Sequence, residues 1–187
     1  MRTTPPLAAL ALLLCSCFAG PRIHARALEE VHRGYAYLHD GDLERADVAF
    51  THALAYHDEF PEALNGAGVV AHQRGDLVLA RRRFEQALHA APEFAEALVN
   101  LGVLELAEGR PERGEDRFRA ALRIDPDLLP ARLDLARSLL HRGRADPARR
   151  ERLFGDARRE YLHLLESHPD LPEARAELAW LEQAARR

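Results

Sequence analysis

Apolar and small residues return along this chain at an interval of 34 positions, with polar stretches between them. Gly34, Gly68 and Gly102 are 34 apart and Ala136 continues the series; Phe50, Phe84 and Phe118 keep the same step, as do Ala53, Ala87 and Ala121. A fixed period of this size predicts stacked pairs of helices. Places 8, 20 and 27 of the first three copies are small, which lets two antiparallel helices approach closely. Place 24 is Phe or Tyr, a bulky plug between neighbouring pairs. Gly41-Asp42, Gly75-Asp76, Gly109 and Gly143 mark the turn inside each pair, where a helix commonly ends on a residue with positive φ. Pro92, Pro126 and Pro169 then stop the second helix. Each pair leaves an apolar face that only the next pair covers, so the chain reads as all-α, an α-solenoid of antiparallel helix pairs.

The copies span 27–60, 61–94, 95–128 and 129–171, followed by a capping helix over 172–187 that shields the last apolar face. In the first copy the second-helix marks Ala46, Phe50 and Ala53 fit, while Glu30 and Arg33 stand where apolar residues are expected, as suits a terminal copy facing water. In the fourth, Leu135, Ala136, Leu139 and Gly143 keep register, but Ala157, Tyr161, Leu164 and Pro169 arrive nine residues late. The extra segment, near 144–152, either loops out or lengthens the second helix. Arg142, Arg144, Arg149, Arg150 and Arg152 make it basic, diluted by Asp146 and Glu151; this reads as a solvated helix extension or as docking to anionic lipid or an acidic partner. Trp180, the only Trp, either packs on the preceding helix or serves as an aromatic anchor.

Leu64, Gly68, Gly75, Asp76, Ala80, Phe84, Ala87 and Pro92 of the second copy, with their counterparts in the third, resemble tetratricopeptide repeats, whose pattern runs Leu-Gly, then Ala-x₃-Phe, then Pro. The resemblance covers Ala27 to the C-terminus. It implies a superhelix whose first helices line a concave face through places 5, 9 and 12: Val31, Tyr35, Leu38; Asn65, Val69, His72; Val99, Val103, Leu106; Leu133, Arg137, Leu140. Nine of these twelve are apolar, which implies a hydrophobic peptide or helix as ligand, with Asn65, His72 and Arg137 fixing its register. The place-12 residues have a second reading, burial against neighbouring repeats. The clamp by which some members hold chaperone tails is not matched: of Val31, Tyr35, Gly66, Glu96 and Asn100, only Asn100 suits it.

Composition narrows the function. The 187 residues carry a net charge of -4 with both signs interspersed, so nothing favours nucleic acid. No metalloprotease, nucleophile-elbow, phosphate-loop or dinucleotide motif is present, so no catalytic residue and no cofactor are expected. His39, His72 and His141 could approach one another on the first helices, but no acidic second shell can be placed for a metal.

The N-terminus differs in kind. Arg2 is followed by the apolar run Leu7 to Leu14 and no charge returns until Arg22, a pattern of secretory-signal length and shorter than the roughly 18 residues of a spanning helix. Leu14, Cys15, Ser16 and Cys17 resemble a bacterial lipobox, with Cys15 departing from the usual small residue. By that resemblance residues 1–16 are a signal peptide, Cys17 is lipidated and 17–26 form a tether. Phe18 stands where an Asp would retain the protein at the inner membrane, so the expectation is an outer-membrane lipoprotein facing the periplasm. Such a chain would be a noncatalytic scaffold for another envelope protein, of the kind that assists assembly of envelope complexes. The alternative is cleavage near Ala19, giving a soluble periplasmic scaffold or chaperone.

Overall fold

A computed structural model describes residues 25–184. Signal, Cys17 and tether up to residue 24 lie outside them, as do residues 185–187. The helices are α1 (Ala25–His39), α2 (Leu43–Tyr56), α3 (Pro61–Gln73), α4 (Leu77–Ala90), α5 (Ala95–Ala107), α6 (Pro111–Ile124), α7 (Leu129–Ala145), α8 (Arg150–Ser167) and α9 (Pro172–Ala184). Ala25 and Arg26, the end of the expected tether, are already helical.

The turns form for local reasons. Gly41, Gly75 and Gly109 sit at φ of 76°, 82° and 74°, the left-handed region that a side chain disfavours. Directly after the first two, Asp42 and Asp76 cap α2 and α4 by accepting from the Arg45 and Leu79 backbone N–H, each at 2.9 Å. Gly143 departs from the expectation. It lies inside α7 without positive φ, and a Cβ there would sit 2.6 Å from the Phe154 ring, so its smallness serves packing and not a turn.

Each first helix packs on the second of its own pair, and each second helix on the first helix of the next pair. Neighbouring first helices also touch, α1 with α3, α3 with α5, α5 with α7, which places them on the inner side of the curve. Phe50, Phe84, Phe118 and Tyr161, the place-24 plugs, are buried. The rings of the first three lie where a Cβ on Gly34, Gly68 and Gly102 would be, at 2.6, 2.5 and 2.5 Å. The period in the sequence is thus a ring seated on a bare backbone, repeated three times.

The nine-residue excess of the fourth copy does not loop out, and it lengthens both helices instead of the second alone. α7 has 17 residues against 13 in α3 and α5, α8 has 18 against 14 in α4 and α6, and the turn takes the remaining one. The projecting ends are held by the capping helix. Trp180 of α9 meets Phe154 edge to face at 5.5 Å, lies under the Arg144 guanidinium at 4.2 Å, and Arg144 pairs with Glu177 at 3.0 Å.

Two buried carboxylates join successive pairs. Glu105 of α5 binds Arg81 of α4 at 2.9 Å and Arg110 at 2.5 Å. Glu115 of α6 accepts from Ser138 at 3.1 Å and Arg142 at 2.8 Å, both on α7. Burial raises the Glu105 carboxyl, but the hydrogen bonds from Arg110 and Arg81 outweigh it and hold the group below its ordinary value. Among the described residues no helix is long and apolar enough to cross a membrane.

Candidate functional site

The inner face is built from α1, α3 and α5, and its floor is a chain of hydrogen bonds running across them. Tyr35 Oη donates to the Glu62 carbonyl at 3.1 Å, Asn65 Nδ2 donates to Tyr35 Oη at 3.2 Å, and Asn100 Nδ2 donates to Asn65 Oδ1 at 2.8 Å. Tyr35 is set by an edge-to-face contact with Phe50 at 5.2 Å. Each of these side chains is one repeat further along, so stacking alone aligns them.

Above this ladder opens a hollow of about 460 Å³. Val69 and Val99 give it apolar surface, Phe94 and Leu128 close it from the loops, and Glu62 and Glu96 stand at its edge. Neither carboxylate has a cationic partner among the described residues. Burial pushes the Tyr35 phenol above its ordinary value, and Glu62 and Glu96 add to that rise against the Asn65 hydrogen bond. Further along the face, burial raises the Asp134 carboxyl against the pull of Arg137, 3.9 Å away. The inner surface is therefore apolar with an acidic edge, suited to side chains that bring N–H donors or positive charge with them.

The structure sorts the twelve inner-face residues. Tyr35, Asn65, Val69 and Val99 meet at the hollow. Leu38, His72, Val103 and Leu133 are half-buried and lie outside it, and Arg137 is exposed. Val31 and Leu140, 3% and 2% exposed and absent from the hollow's lining, fill the core; Asn65 and Val99 are also buried, at 4% and 7%, and form the hollow's floor while Val69 is its more open apolar contact. Leu106 leans on its own second helix, with Cδ2 2.9 Å from where a Gly114 Cβ would be. His39, His72 and His141 form no metal-ligating group, and no three His, Cys, Asp or Glu among the described residues do. Sequence reading of places 5, 9 and 12 passes over Asn100 at place 6 and the loop residues Phe94 and Leu128. A signal for the latter exists: Phe60, Phe94, Leu128 and Leu171 occupy the last place of every copy.

Stacked helix pairs with a lined inner face define a helical-repeat fold of the interaction-scaffold kind. The tetratricopeptide repeat family matches residues 31–81 and 79–128, just over half of the chain, and this protein belongs to that family. Among solved structures, Pseudomonas aeruginosa PilF is similar at 21% identity and a TM-score of 0.75, covering 86% of this chain and 69% of that one. The first tetratricopeptide domain of Spaghetti (RPAP3), bound to an HSP90 peptide, is similar at 16% identity and a TM-score of 0.56, covering 64% and 95%. An O-GlcNAc transferase of Thermobaculum terrenum is similar at 27% identity and a TM-score of 0.64, covering 76% of this chain but only 27% of the transferase. No curated protein matches the chain.

Proposed function

We propose that this chain is a lipid-anchored scaffold of the bacterial cell envelope that holds an apolar peptide or helix of another envelope protein against its first helices. The observation that supports the groove is the hollow itself: apolar Val69 and Val99 over the Tyr35, Asn65 and Asn100 ladder, with Glu62 and Glu96 unneutralised at the edge. An apolar side chain would seat on Val69, with the buried Val99 behind it. A basic residue or backbone N–H beside it would answer the carboxylates, and Asn100 Oδ1, which accepts no hydrogen bond among the described residues, would accept another.

The anchor rests on the sequence Leu14 to Cys17. From Cys17 to the start of α1 at Ala25 the chain can reach no more than about 30 Å, so a lipidated protein would hold its repeats beside the membrane. Stable attachment needs two or more acyl chains, each worth about 0.8 kcal/mol per buried CH₂.

Palmitate labelling of wild type against Cys17→Ala tests the anchor; unlabelled wild type would sink it and leave the soluble periplasmic scaffold. Affinity capture from envelope extract, with wild type beside Val69→Glu/Val103→Glu, tests the groove. A variant that keeps every partner of the wild type rules the groove out.

A further inference from the structure

The longer fourth pair builds a surface that the other copies lack, and Gly155 points to its use. The helical glycines 34, 66, 68, 102, 114 and 143 each face an atom that a Cβ would strike, between 2.2 and 2.9 Å away. A Cβ on Gly155 would meet nothing within 4 Å, and its φ is not positive. Neither packing nor backbone geometry accounts for a glycine in mid-helix, where it lowers stability relative to alanine. The same place in the other copies holds Glu44, Val78 and Glu112. A bare backbone with open space above it is what close approach by another chain requires.

Gly155 lines a hollow of about 470 Å³ between α8 and α9, together with Phe154, Arg158 and Leu181. A second hollow of about 390 Å³, lined by Trp180, Arg144 and Gln183, shares Phe154 and Arg150 with it, so the two make one groove. Trp180 is 39% exposed, and its ring is fixed by Phe154 on one side and the Glu177-paired Arg144 on the other.

The charges at the rim specify the occupant further. Arg144 and Arg158 have carboxylates at 3.0 and 3.9 Å, within this chain. Arg150 reaches only the Gly143 carbonyl, at 3.4 Å, and has no carboxylate within ion-pair distance among the described residues. Glu151, its neighbour, lines only the Gly155 hollow, so an acidic group meeting Arg150 belongs on the Trp180 side of Phe154.

We propose that this groove binds an amphipathic helix of another protein, its backbone close over Gly155, an apolar side chain against Phe154 and an acidic side chain on Arg150. A helix fits because its apolar stripe can lie along α8 and α9 as one more member of the stack, and the described chain offers no strand edge for an extended segment to pair with. This surface is separate from the inner face of the first helices and stands without it.

The probe is a phage-displayed library of random 16-residue peptides, selected on the full wild-type chain and counter-selected on Gly155→Leu. We expect enriched peptides to carry Asp or Glu three or four places from a large apolar residue, to turn helical on binding, and to shift the emission of Trp180, the only Trp. Arg150→Glu, which puts a like charge opposite the peptide's carboxylate, should weaken them at least about tenfold, and Val69→Glu should leave them unchanged. Gly155→Ala should melt at or above the wild-type temperature. Peptides indifferent to Arg150, failure to select any that discriminate against Gly155→Leu, or a lower melting point of Gly155→Ala would each overturn the proposal. So would a dimer in sedimentation that Gly155→Leu abolishes, since the occupant would then be a second copy.

Discussion

Single atoms decide whether a copy of this repeat closes. A Cβ on Gly66 would lie 2.2 Å from the buried Phe50 ring, the tightest of these approaches, and neither group can move without opening the first junction. Gly66→Ala should therefore lower stability by about 1–3 kcal/mol, the range for overpacking a core; an unshifted urea midpoint would refute the ring-on-backbone account. Tyr161 makes the opposite case. Its hydroxyl is buried without a partner among the described residues, and burial, with Glu177 adding, pushes its phenol up to about 12. The other three copies have Phe there. Tyr161→Phe should raise stability by about 1 kcal/mol, because an unsatisfied polar group is removed and the ring is kept; urea unfolding measures the gain.

At the scale of elements, much of the architecture was legible because it is steric. A glycine facing a ring recurs wherever two helices cross at the same distance, so Gly34, Gly68 and Gly102 announce the pairs before any coordinates do. The charged junctions were not legible. Glu105 and Glu115 look like ordinary solvated helix residues, since their partners Arg81 and Arg142 lie 24 and 27 positions away. For the same reason the inner hollow was only half visible: the Asn65 to Asn100 bond spans 35 positions, and a pattern of apolar places has no means of pairing two amides. Gly143 misled because a glycine near a helix end looks alike whether it turns the chain or clears space for Phe154.

The Glu105 junction also has a pH signature. Its folded carboxyl titrates below the ordinary value, so its contribution is full above that value and is lost as pH falls through the lower, folded one. Between about pH 5 and pH 3, wild type should lose more stability than Glu105→Gln. Parallel losses in the two proteins would show that the carboxylate does not tie α4 to α5.

Over the whole molecule these junctions are unevenly distributed. The larger apolar core runs from α5 to α9, and both buried carboxylates lie at junctions on either side of the third pair. The first junction relies on a smaller core and on Arg74 with Asp47, an exposed pair of the kind worth about 0–1 kcal/mol. Amide hydrogen exchange should accordingly be slowest in α5 to α8 and fastest in α1 and α2. Uniform protection would mean the repeats unfold as one block.

The Phe plugs of the first three pairs sit on the glycine of their own pair, Phe50 also on Gly66 of the next, and the main packing between elements joins helices that are one or two apart in order. No part of the described fold waits for a distant part to arrive. A chain with this arithmetic can emerge end first from a ribosome or a narrow translocation channel and assemble in the order of its emergence, each finished pair becoming the template on which the next one condenses.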